Sequence, residues 1–153
     1  MVIRKLKTLF ETARDEPRAE PEADITTRIR IATCVLLLEV AHADDHYSEA
    51  EQDRIVEILK EDFQLSDEYA AELIELAHQE RKESVDLWRF TNVIDNNYSN
   101  EEKERVIETL WKVIYTDDRL HFHEDHLIHR LSNLLNLSHK QLIDAKKKVM
   151  GWD

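Results

Sequence analysis

The sequence predicts an all-α protein, a helical bundle of about seven to eight helices arranged as two pseudo-symmetric halves. Three observations carry that expectation. The chain of 153 residues holds one glycine and two prolines, too few for a turn-rich fold, while good helix formers such as Ala, Leu, Glu, Lys and Arg dominate it. Apolar residues recur at helical spacing along most of its length. A stretch built around two adjacent aspartates returns 73 residues later. The length suits one domain able to bury a core without staples.

Each element has its own signal. Val2, Ile3, Leu6, Leu9, Phe10 and Ala13 predict a short amphipathic helix over residues 1–14. Residues 15–23, with Pro17 and Pro21, read as a polar linker that ends one helix and delays the next. The main helical domain then spans 24–153, opening with a long helix from Asp24, the expected N-cap, through "ITTRIRIATCVLLLEVAHA". Ser48 caps the next helix, with Glu51 three residues on and Ile55, Ile58 and Leu59 as its apolar stripe. Ser66 caps a further helix that carries Tyr69, Leu73, Leu76 and Ala77 on one face. A helix follows in "SVDLWRFTNVI", where Trp88, Phe90, Val93 and Ile94 read as core residues. Ser99 with Glu102 opens the helix of "KERVIETLWKVIY", which brings Trp111 to the core. "HEDHLIHRLSNLL" and "SHKQLIDAKKKV" complete the set, the last capped by Ser138 with Gln141.

The repeat relates residues 37–55 to 110–128. Leu37, Val40, Asp44, Asp45, Glu51 and Ile55 recur as Leu110, Val113, Asp117, Asp118, Glu124 and Ile128. "QLSDE" falls on "NLSHK" one residue out of that register. Two halves follow, of approximately residues 24–80 and 84–149, each a helix–loop–helix–turn–helix unit.

Composition removes several function classes. The lone Cys34 cannot form an internal disulfide, and in "IATCVLLLEVA" it reads as a small buried hydrophobe. Charges interrupt "MVIRKLKTLF", so it does not look like a signal peptide, and the apolar runs are too short to span a bilayer. These features together point to the cytoplasm. A formal net charge of −12 argues against nucleic acid as a partner and suits a cation or a basic protein surface. The charge is uneven, because residues 1–14 carry an excess of +3, leaving −15 on the remainder.

The repeated carboxylates are the chemistry-bearing feature. Glu51 and Glu124 stand where a helix N-terminus favours acid, which a solvated surface residue would satisfy. Asp44, Asp45, Asp117 and Asp118 end helices, where a carboxylate is unfavourable by about 0.3–1 kcal/mol. A hard divalent cation would turn that liability into a site, since helix C-termini also offer spare carbonyl oxygens. The spacing from Asp44 to Glu51 is shorter than a twelve-residue EF-hand loop and lacks its glycine. The residues alone leave a cation site and a solvated acidic turn both open. His121, His123, His126 and His129 crowd the second turn and would bias it toward Zn²⁺, Cu²⁺ or Ni²⁺, against the bland reading of ordinary surface histidines. No phosphate loop, nucleophile elbow or His-Glu-x-x-His is present, so no enzyme is expected.

"VAHADDHYSEAEQDRI" and "IYTDDRLHFHEDHLI" resemble the two repeats of the tellurite-resistance TerB family, in which a helix ends in Ala-Asp-Gly and Ser-x-x-Glu follows shortly after. The likeness covers roughly residues 25–149. It implies a TerB-like bundle of two similar halves, a stress-related role, membrane-associated protein partners and divalent-cation binding without a required cofactor. Ca²⁺, Mg²⁺ and Mn²⁺ are the implied cations, with Zn²⁺ less suited. The motif acids map to Asp44 with Glu51 and to Asp117 with Glu124. The motif glycine is Asp45 here and Asp118 in the second copy, adding charge where the family has none. The alternative is a purely structural interaction domain that binds no metal. For residues 1–14 two fates compete, docking on the bundle or weak peripheral contact with an anionic membrane at its inner face.

Overall fold

The computed structural model describes residues 22–43, 48–84, 86–115 and 122–151, with the side chains of 22–24, 122 and 123 set aside. Among these residues there are seven helices and no strand. In chain order they are α1 (Glu22–His42), α2 (Glu49–Phe63), α3 (Asp67–Glu83), α4 (Trp88–Asn97), α5 (Asn100–Ile114), α6 (Phe122–Leu134) and α7 (His139–Met150). The expected helix over residues 1–14 lies outside the described residues.

α1 is apolar on nearly every face and is accordingly the central helix. Ile31, Cys34, Val35, Leu36, Leu37, Leu38 and Val40 are all fully buried along it. It packs chiefly on α3 and α4 and also meets α2, α5 and α6. α5 packs chiefly on α7, with α6 beside it, and α2 reaches across to α5. α1 thus lies mainly against α3, as α5 lies mainly against α7.

The capping signals hold. Ser48, Ser99 and Ser138 each form a capping box, with Glu51, Glu102 and Gln141 respectively, and Ser66 accepts from the Tyr69 amide. Two expectations need correction. α1 already runs from Glu22, so Asp24 lies inside the helix and is not its N-cap. Trp88 is not core but 60% exposed. Its neighbour Phe90 is fully buried, and two residues advance a helix by about 200°, so the two rings cannot share a face. Phe90, Val93, Ile94 and Trp111 are buried as expected.

Polar ties lock the helices laterally. The wholly buried Glu80 on α3 accepts from Arg89 of α4 at 2.7 Å. Lys103, buried on α5, pairs with Asp95 of α4, whose other oxygen accepts from the Asn136 amide at 2.7 Å. Trp111 Nε1 donates to the Leu142 carbonyl at 3.2 Å, joining α5 to α7. Burial pushes the Cys34 thiol far up from its ordinary value, which makes it inert. Among the described residues no helix is long and apolar enough to cross a membrane.

Candidate functional site

The acidic turns join α1 to α2 and α5 to α6. Asp44, Asp45, Asp117, Asp118 and His121 lie outside the described residues, as does the His123 side chain. What the structure describes are the walls of the two turns. Glu51 and Glu124 each occupy the third position of the helix that leaves the turn. Both are buried, at 7% and 2% exposure. The solvated glutamate expected at such a position is therefore not what is found in either copy.

The matched positions that are described behave alike. Leu37 and Leu110, Val40 and Val113, Ile55 and Ile128 are buried in both copies, with Glu51 and Glu124 between them. Helical spacing explains the apolar pairs, because each turn must be clamped to the core on both sides. It does not explain the glutamates. Desolvating a carboxylate costs several kcal/mol, whereas a helix N-terminus returns about 0.3–1 kcal/mol, and up to about 2 kcal/mol when partly buried. Glu51 recovers more through its box: Oε1 accepts from the Ser48 amide at 3.4 Å and from the Ser48 hydroxyl at 3.2 Å. The Glu51 amide donates to Ser48 Oγ at 3.1 Å.

A family model described as tellurite resistance protein TerB matches residues 30–147. The chain belongs to the TerB family. That match begins inside α1 and ends inside α7, so the TerB region takes in all seven helices and both acidic turns. No curated protein and no solved structure matches the chain.

The first TerB turn has a feature the sequence did not announce. His42, in the last turn of α1, donates from Nδ1 to the Leu38 carbonyl at 2.8 Å, which leaves Nε2 as the acceptor nitrogen. His78 of α3 meets it edge-on, with ring centroids 5.7 Å apart. Burial holds both imidazoles below their ordinary value; His42 itself and Arg81 press His78 further in the same direction. The two histidines are far apart in sequence, and only the α1–α3 packing joins them. At the second turn, His126 is exposed, and His129 lies 3.6 Å from Asp125 and stacks on His139 of α7 at 5.6 Å.

Among the described residues no group of three or more His, Cys, Asp or Glu could hold a metal ion. A complete ligand set would have to draw on the aspartates of the turns. One groove opens between α1, α2 and α5 and a second between α1, the end of α2 and Tyr98, and neither is lined by Glu51, Glu124 or His126.

Proposed function

We propose that this TerB-family chain is a non-enzymatic module that binds divalent cations at its two acidic turns and serves as an adaptor in a stress-related assembly. Asp44, Asp45 and Glu51 form one ligand set, and Asp117, Asp118 and Glu124 the other, in halves related by a pseudo-two-fold axis. Hard cations such as Ca²⁺, Mg²⁺ or Mn²⁺ suit all-oxygen sites of this kind. His121, His123 and His126 tilt the second site toward Zn²⁺. One observation carries the reading: both repeated glutamates are buried at the mouth of an aspartate-bearing turn. The same position is buried in both copies, although only the first has a serine, Ser48, in the capping place. The lone buried Cys34 fits the cytoplasm, with partners at the inner face of the membrane.

The test is thermal unfolding of the chelator-treated full chain with and without each cation. Binding only to the folded state stabilises by about 2.7 kcal/mol at a hundredfold excess over Kd. A melting temperature raised by several degrees with Ca²⁺, Mg²⁺ or Mn²⁺ is expected. Indifference to all of them and to Zn²⁺ would end the cation reading.

The exposed Trp88 favours a second reading, an interaction domain that needs no metal. Tryptophan is enriched among the residues that dominate protein interfaces. On this reading Trp88→Ala removes partner capture from native lysate while leaving cation response and stability unchanged.

A further inference from the structure

We propose that His42 and His78 form a transition-metal site of their own, in which two imidazoles from α1 and α3 hold one Zn²⁺, Ni²⁺ or Cu²⁺ and solvent completes the shell. The site uses no carboxylate of the acidic turns and does not rest on the cation reading given for them. α1 packs chiefly on α3, so two rigid elements set the spacing of the pair, as a preorganised site requires. The ring centroids are 5.7 Å apart and the planes stand at 89°. Two imidazoles on one tetrahedral ion, each nitrogen at about 2.0–2.1 Å, bring their centroids to about 5.2 Å. The pair therefore has about 0.5 Å to close, which a small side-chain rotation supplies.

His42 is oriented as metal-binding histidines are. Its Nδ1 donates to the Leu38 carbonyl at 2.8 Å, which fixes the ring and its tautomer and puts the lone pair on Nε2. Both rings are half-buried, so water can reach the remaining coordination positions. Among the described residues no third His, Cys, Asp or Glu completes a metal group with them, and the site accordingly has two protein ligands.

Charge and donor type select the metal. Glu39 and Arg81, which both act on His42, pair with each other at 2.6 Å, and Lys82 adds a cation beside His78. Ca²⁺ and Mg²⁺ take oxygen ligands and gain nothing here. Ni²⁺, Cu²⁺ and Zn²⁺ suit imidazole and bind it strongly enough to tolerate the neighbouring cations. The other imidazole pair lacks this geometry. His129 and His139 are 5.6 Å apart, but their planes differ by only 20°, so their lone pairs run side by side and cannot meet at one ion. His129 also lies 3.6 Å from Asp125.

Zn²⁺ titration calorimetry tests the site in the full chain carrying His46→Gln, His121→Gln, His123→Gln and His126→Gln, which removes the histidines of both turns. His42→Gln and His78→Gln should each weaken Zn²⁺ binding about tenfold or more, and the two together little more than either alone. Glu51→Gln and His139→Gln should leave the affinity unchanged. Cu²⁺ added below one equivalent should give a paramagnetic resonance spectrum with two nitrogen donors, a readout that needs no change at His42 or His78. Zn²⁺ affinity that ignores His78→Gln, or that falls with Glu51→Gln instead, would hand the ion to the acidic turn and overturn the proposal. Loss of affinity in His139→Gln, or a Cu²⁺ spectrum with a single nitrogen, would overturn it too.

Discussion

The two acidic turns share their carboxylates in sequence, and the described residues on either side of them differ. His42 and Tyr115 are equivalent residues at the offset of 73, as are Leu38 and Trp111. Beside the first turn the result is a pair of half-buried imidazoles, His42 against His78. Beside the second it is an aromatic stack, Trp111 on Tyr115 at 5.9 Å, with the Lys146 ammonium 5.2 Å from the indole centroid. The helix starts differ as well, since Ser48 supplies a capping hydroxyl where the second copy has His121. The repeat thus keeps the acids and the buried apolar clamp while the surroundings diverge. One turn borders two imidazoles that burial holds below their ordinary value, the other a buried aromatic wall. Shared carboxylates alone would make the turns interchangeable; their walls predict that they are not.

The largest effect expected from this contrast is at Trp111. Trp111→Ala should cost about 3–5 kcal/mol in urea unfolding, because it opens a cavity between α5 and α7 and removes the bond to Leu142. A loss below about 1 kcal/mol would show that the second wall is not rigid.

How much of this was legible in the sequence can be judged from particular residues. Serine–glutamate spacing located α2 and α5, since a capping box is a local device that needs nothing from the rest of the chain. The repeat pointed to Glu51 and Glu124, but not to their burial, which depends on how neighbouring helices close over the turns. Trp88 was placed in the core together with Phe90 at helical spacing, but two residues advance a helix by about 200°, so with Phe90 buried Trp88 faces outward. His78 could not have been found, because its only link to His42 is a tertiary contact. Asp24 was misread as a cap because a local N-cap signal does not show that the helix already runs through Glu22.

A middling effect is expected at the helix starts. Ser48→Ala should lower stability by about 1 kcal/mol. In the second copy, His121→Ser should raise it by roughly 0.5–1 kcal/mol if the turns are equivalent there. No gain would mean that the second turn leaves its helix by another geometry.

The smallest effect concerns pH. His42 and His78 have folded values below the ordinary 6.5, so the unfolded chain binds more protons just below that pH. The stability they contribute is complete above about pH 6.5 and is lost as pH falls through their folded values. His78→Gln should flatten the stability profile on the acid side while leaving it unchanged at pH 8. An unaltered acid limb would remove the imidazole pair from the contrast between the turns.

The central claim is that each turn holds its own cation through its buried glutamate, and isothermal titration calorimetry of the chelator-treated full chain tests it most directly. The account predicts two bound Ca²⁺ or Mn²⁺ per chain, falling to one in Glu51→Gln and to one in Glu124→Gln, with different heats for the site that remains. No binding heat, or a stoichiometry that neither substitution changes, would contradict it.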